Sequence, residues 1–540
     1  MDSLQHNCPS LSADLIAAKD TEAGLALFRG IPYASVSKRW TQSQIQDSLS
    51  SPFDATKFGP RCPQPPHVSL IAANVKAPAL EEDEFACLNL NISVPVNALP
   101  KPTSNDPKSL LPVMVWIHGG AFKNGSASDP RFYPSTLSTI ASTHNHPVII
   151  VQISYRLGIF GFAASSDLLS EHASTSPSSS DPFANFGLHD QRTAFQWIQS
   201  HIKDFGGDPD NVTAFGVSAG SASLHMHMLS GNPLFDRAVL MSGCAPTMGP
   251  FPLPLLDKSW SKLCQKSGVD AFETSHQRLE ALRLLTPEEA ITNNGLSTTL
   301  APLADGIYLP RAWKLGDAHP STRCKEIIIG NTLVEAIIFD VLAKLLPQSI
   351  FHSKLLSAFP NPEDSTRFIS LFGFDFAKEK EMSPEAYRDA LRRFLSAVIF
   401  HYPSLKVAES FSSVSTSSDT KSYLYRFSTP SPFPGPSHCL AAHGQCAIFL
   451  FNNDSDSWPS ECQVISKEMA RTWTAFAYGE KPWEEFMSED DKVMSFGNGV
   501  FGLRGLDEGE DEGWGREDGT TGWLRVHFDE ALMFVLGLMG

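Results

Sequence analysis

The chain has 540 residues, with 42 lysines and arginines against 59 aspartates and glutamates, for a formal net charge of -17. So acidic a balance argues against a nucleic-acid partner, because phosphate-backbone binding needs a basic surface. Nothing in the Cys/His spacing suggests structural zinc, so neither metal nor cofactor is expected.

The amino terminus, Met1-Asp2-Ser3-Leu4-Gln5-His6-Asn7, lacks the basic start and apolar core of a secretion signal, which favours a cytoplasmic location. Further along, Pro112 to Ile117 is an apolar run of strand length that stops at His118-Gly119-Gly120-Ala121-Phe122. Glycine at such a turn lets the backbone approach a substrate so that N–H groups face a developing negative charge. The plain alternative is a Gly-rich hairpin turn. A second strand-like run spans 148–154, and the Ser-rich stretch from Ser165 to Ser180 reads as a surface loop. Asn185 to Gln191 opens a helix carried by Ala194, Trp197, Ile198 and Ile202, and Phe205-Gly206-Gly207-Asp208-Pro209 ends it.

Val212 to Phe215 then reads as a short buried strand, and Ala219 to Ser230 as a helix. Ser218 sits at their junction, inside Gly216-Val217-Ser218-Ala219-Gly220. A serine hydroxyl is a poor nucleophile at neutral pH, so it must be held exposed beside a base at a sharp turn. Glycines at 216 and 220 remove the side chains that would collide there. The backbone N–H groups of Gly120, Ala121 and Ala219 are the expected oxyanion hole. His225 and His227, one helical step on, read as packed helix residues.

More strand-like runs follow at 237–241, 326–330 and 422–427, alternating with helical segments. The alternation predicts an α/β fold with a mostly parallel sheet covered by helices. No linker and no repeat divides the chain, so a single domain over 1–540 is expected. Ser412 to Ser418 reads as a loop, and the acidic, Gly-rich run from Asp507 to Asp518 as a solvated loop or tail at about 505–520. The apolar end, 531–540, is far short of the roughly twenty residues needed to span a bilayer, so a packed terminal helix is expected.

Taken together, these motifs resemble the type B carboxylesterase/lipase family, the cholinesterase-like α/β-hydrolases. Phe28 to Ala34, Cys87 to Asn91, Tyr155 to Gly158, Phe205 to Pro209, Asp305-Gly306 and Trp473 to Ala477 carry the likeness. Glu84 to Asn91 looks most like the filamentous-fungal branch. The resemblance implies an α/β-hydrolase fold with helical insertions and a Ser218, Glu335, His443 triad. Glu335 follows the Glu326 to Asn331 strand and glycine turn, with Ala336 where a glycine is usual and Asp340 as a rival. His443, in Ala441-Ala442-His443-Gly444, is chosen among seventeen histidines over its neighbour His438.

The resemblance also implies a possible Cys62–Cys87 disulfide, as in secreted relatives, or two thiols in a reducing compartment. The loop between them contains no tryptophan, which makes choline esters poor candidates. Val217 stands where animal relatives often have glutamate, and Cys446 where an acid is common. Phe122 and Val217, with Leu157, are candidate pocket residues. The expected function is hydrolysis of a small to medium, apolar carboxylic ester through an acyl-enzyme. Three other uses of the fold remain open, one of them a lyase that keeps the oxyanion hole but uses His443 as a base for elimination. A fungal tailoring enzyme (thioesterase, lactonase or acyltransferase) would differ in its products with competing alcohols, and a noncatalytic binding module would fail to label with a fluorophosphonate.

Overall fold

Apolar runs without polar alternation make strands buried on both faces, the condition for a parallel sheet. The computed structural model describes residues 2–539 except 67–78, 101–109, 176–181, 296–299, 312, 318, 321–322, 377–380, 413–419, 454, 488–491, 498, 507 and 509–518. Its strands are β1 Ser3–Cys8, β2 Ala13–Asp20, β3 Leu25–Pro32, β4 Ala34–Ser35, β5 Gln44–Ile45, β6 Phe53–Ala55, β7 Asn89–Pro95 and β8 Leu111–Ile117. They continue with β9 Ile149–Ile153, β10 Gly207–Val217, β11 Arg237–Met241, β12 Glu326–Thr332, β13 Lys421–Phe427, β14 Lys492–Gly497 and β15 Val500–Gly505.

Thirteen of them form one sheet in the order β1-β2-β3-β7-β9-β8-β10-β11-β12-β13-β14-β15, with β6 beside β2. From β9 to β14 every neighbouring pair is parallel, whereas β1, β2, β3 and β7 form an antiparallel flank. The register sets Ala214 of β10 beside Val115 and Ala238, and Ile328 of β12 beside Val239 and Tyr423. Ile327, Ile328 and Ile329 are wholly buried, and each such side chain contributes about 1.5–3 kcal/mol. The helices Phe186–His201 and Ala219–Leu229 lie at the expected places.

Some expectations change. Much of the Ser-rich stretch 165–180 is helix, Ser166–Thr175, because Asp167 accepts from Trp260 Nε1 and from Arg278 and so ties it to the body. Residues 176–180 fall outside the described set, as do 413–418 and, apart from Glu508, the acidic run 507–518. The terminal helix is longer than expected, Thr520–Met539, with a break at His527. Trp523, Phe534 and Val535 bury it against Phe351, Phe368 and Phe394. Among the described residues, no helix is long and apolar enough to cross a membrane.

Cys62 and Cys87 are buried thiols, not a disulfide. The Leu157 N–H donates to Cys62 Sγ at 3.2 Å and Cys87 Sγ donates to the Glu84 carbonyl at 3.6 Å. A hydrogen bond with Cys62 and burial hold the Cys87 thiol well above its ordinary pKa. Alkylating denatured, unreduced protein should therefore label all nine cysteines. A shortfall of two labels would refute the thiol assignment.

Several histidines are buried neutral beside the helix Ala219–Leu229. His227 Nδ1 meets the Tyr308 hydroxyl at 2.6 Å and its Nε2 meets Gln191 Oε1 at 2.9 Å, while His225 and His319 contact each other at 2.8 Å. Burial holds His189 and His227 down to about 3, and His118 and His319 to about 4. In the unfolded chain they protonate near 6.5. Between those values the unfolded state binds more protons, so stability falls as pH falls from about 6.5 towards 4. The urea midpoint should be lower at pH 5 than at pH 7.5, and equal midpoints would contradict this.

Candidate functional site

The site forms where β8, β10, β12 and β13 end, at the carboxyl edge of the parallel strands. Ser218 follows β10 directly, with φ 57° and ψ -122°, a conformation rarely held outside glycine. Its N–H donates to the Met241 carbonyl at 2.8 Å, so β11 holds the bend in place. The helix Ala219–Leu229 then crosses close to β8. A Cβ on Gly220 would lie 2.1 Å from the Ile117 carbonyl oxygen, and one on Gly216 2.8 Å from the Gly220 carbonyl carbon. The two glycines are a steric requirement of this turn.

The turn after β8 places Gly120, Ala121 and Phe122 at positive φ, 114°, 54° and 60°. Lys123 and Asn124 N–H both donate to the Gly120 carbonyl, at 2.9 and 3.0 Å, and lock the turn. Among the described residues, the N–H groups of Gly120, Ala121 and Ala219 donate to no protein acceptor. Ala219 also opens an eleven-residue helix, whose N-terminal dipole favours negative charge.

Beyond β12, Glu335 is completely buried. Its Oε1 accepts from Thr332 N–H at 2.7 Å, and its Oε2 makes a very short contact with His443 Nδ1. The backbone brings the two residues together, since Val334 N–H donates to the Ala441 carbonyl at 2.9 Å and His443 N–H to the Val334 carbonyl at 3.2 Å. The Phe400 ring packs 5.0 Å from the imidazole. With Nδ1 engaged by the carboxylate, Nε2 is left as the basic nitrogen. Ser218 and His443 line one cavity of about 250 Å³, together with Gly120 and Ala121.

The rivals lie elsewhere. Asp340 is paired with Arg392, whose Nε donates to it at 2.8 Å, and His438 is exposed with Nδ1 on the Phe433 carbonyl at 3.1 Å. His118 is buried under Tyr155, its ring 4.5 Å away, and desolvation keeps it neutral. It shapes the turn through Nδ1 and the Gly119 carbonyl, 2.8 Å apart. Val217 lines the cavity. Phe122 is not among the lining residues: it is buried, with its ring centroid 4.6 Å from that of Phe162. Leu157 is likewise a core residue.

Cys446 is buried with the Tyr425 hydroxyl donating to its sulfur at 3.6 Å, and burial pushes its thiol up to about 12. A neutral thiol therefore stands behind the Glu335–His443 pair. Asn124, Asp129, Arg131, Phe132 and Ile338 also line the cavity and were not singled out from the sequence. The one local signal was Asp129-Pro130, where the aspartate caps the short helix Pro130–Phe132. Among the described residues the only metal-like cluster is Glu171, His276 and Glu280, and Arg283 already bonds both carboxylates.

The parallel sheet, the bend at its edge and the helices around it make the α/β-hydrolase fold of esterases. A thermophilic PNB esterase superposes with a TM-score of 0.71 at 22% identity, covering 94% of this chain and 98% of its own. The chain belongs to the carboxylesterase family, which it matches over residues 15–506, and it is a carboxylic ester hydrolase. It is 30% identical to the mouse (Mus musculus) pyrethroid hydrolase Ces2a over 507 residues, 87% of this chain and 82% of that protein. It is 38% identical to the para-nitrobenzyl esterase of Bacillus subtilis (strain 168) over 349 residues, 62% of this chain and 63% of that one.

The steric account of the bend has a direct consequence. Gly220→Ala, with its Cβ at 2.1 Å from a backbone oxygen, should destabilise the fold by about 1–3 kcal/mol or more, read as a lower unfolding midpoint. An unchanged midpoint would show that the contact relaxes freely.

Proposed function

We propose that the protein hydrolyses esters by two-step acyl transfer with Ser218 as nucleophile, His443 as base and Glu335 as the carboxylate that orients it. The observation that carries this reading is the buried Glu335 carboxylate on His443 Nδ1, with His443 and Ser218 in the wall of one cavity. Ser218 Oγ attacks the ester carbonyl carbon as His443 Nε2 takes the hydroxyl proton. Glu335 stabilises the imidazolium, and the N–H groups of Gly120, Ala121 and Ala219 receive the oxyanion. The tetrahedral species collapses, His443 gives its proton to the leaving alcohol, and an acyl-Ser218 remains. Water, deprotonated by the same histidine, attacks that acyl group, and the acid leaves as Ser218 regains its proton.

The cavity volume of about 250 Å³ lies near the lower end for ligand sites. Val217, Phe132 and Ile338 give it an apolar wall. Both features favour a small to medium ester, apolar over most of its surface. Val217 also leaves no carboxylate beside the nucleophile to attract a cationic alcohol.

With p-nitrophenyl butyrate as substrate, Ser218→Ala should lower kcat/KM by at least about a thousandfold, and Glu335→Gln by a similar factor. A fluorophosphonate should label Ser218 in the folded wild type. Full activity in the Ser218→Ala protein would overturn the assignment.

A further inference from the structure

Pro384–Ser396 and Tyr402–Ser412 are α-helical, and Ala397–His401 between them is a π-turn, in which the Tyr402 N–H donates to the Ala397 carbonyl five residues back. Such turns are rare and frequently mark functional sites. An α-helix advances about 100° per residue, so side chains five apart would point about 140° away from each other. The π-turn instead brings Ser396 and His401 onto the same stretch of chain. Ser396 Oγ accepts from the Ala336 N–H at 3.0 Å, and His401 Nε2 donates to the Thr332 carbonyl, also at 3.0 Å. Phe400, beside them, packs its ring 5.0 Å from the His443 imidazole.

These contacts hold Glu335 from both sides of its loop. Thr332 supplies the N–H that bonds Glu335 Oε1 at 2.7 Å, and Ala336 is the next residue along the chain. Further along the same helix, Ser404 donates to Asn331 Oδ1 at 3.1 Å. Ser396, His401 and Ser404 are all buried, where a polar group that loses its partner is strongly unfavourable, so each bond fixes loop against helix. Burial and the charge of Arg426 hold His401 well below its ordinary pKa, which makes it a neutral donor rather than an added charge. A regular α-helix through 397–401 would aim only one of Ser396 and His401 at the loop.

We propose that the π-turn is a positioning device for ester hydrolysis, with Ser396 and His401 setting the Glu335 carboxylate against His443 while Phe400 backs the imidazole, a role that rests on Glu335 being the orienting carboxylate. Ser396 and His401 are positioning residues: each acts through the backbone of 332–336. A slightly displaced carboxylate holds the imidazole less well in the orientation that Ser218 needs, so the penalty falls on kcat rather than on substrate binding.

The test is a double-mutant cycle read on kcat and KM for p-nitrophenyl butyrate, with the unfolding midpoint of each variant measured to show that it is folded. Ser396→Ala and His401→Leu should each lower kcat by about three- to thirtyfold while KM stays within about twofold. His401→Gln, which keeps an N–H donor, should recover part of the loss. In a Glu335→Gln background the same two substitutions should lower kcat by less than about twofold more, because residues that act through one group do not add. General damage to the fold would instead add in both backgrounds. Ser396→Ala removes a single atom, so it carries the cycle even if His401→Leu does not fold. Wild-type kcat in Ser396→Ala, or equal factors in both backgrounds, would overturn the proposal and leave Ser218, Glu335 and His443 as assigned. A Glu335→Gln protein with wild-type kcat would instead overturn the catalytic reading beneath it.

Discussion

The close passage of the helix Ala219–Leu229 across the end of β8 governs the rest of the site. No atom larger than hydrogen fits on the Cα of Gly220, because the Ile117 carbonyl oxygen occupies that space. The same passage forces Ser218 into its positive-φ bend and places the helix N-terminus next to the turn at 119–122. Ser218 and the unpaired N–H groups beside it are thus positioned by one packing constraint. The strain at a single residue is held by the hydrogen bond from Ser218 N–H to Met241 and by a wholly buried helix around it.

Glu335 and His443 are united differently, through backbone pairing of two loops that leave neighbouring strands. Val334 joins Ala441 and His443 by hydrogen bonds in both directions. A buried carboxylate is unfavourable unless it is well bonded, and Glu335 is, by Thr332 N–H on one oxygen and the imidazole on the other. Around this pair the side chains are neutral: Phe400, Cys446 and Tyr425, with the thiol and phenol both kept protonated by burial. Few competing charges therefore act on the imidazole from behind.

The cavity itself is divided by polarity. Val217 gives it an apolar side chain beside Ser218, whereas Asn124, Asp129 and Arg131 add polar groups to its lining.

Much of this was legible in the primary structure. The apolar runs at 113–117, 212–217, 237–241 and 326–330 announced the parallel strands, because burial on both faces leaves no room for polar alternation. Gly216, Ser218 and Gly220 announced the bend, because only that spelling fits it. Other features were invisible locally. Distant Trp260 and Arg278 bind Asp167 of the Ser166–Thr175 helix, the Phe122 ring packs on Phe162, and Cys62 and Cys87 are buried free cysteines. The sequence by itself determined the fold class and which residue types would do the chemistry, since these follow from periodicity and short-range sterics. Only the tertiary structure decided which side chains share the cavity with Ser218, because Ile338 follows β12 while Asn124 and Arg131 follow β8, and the meeting of those two segments depends on long-range packing.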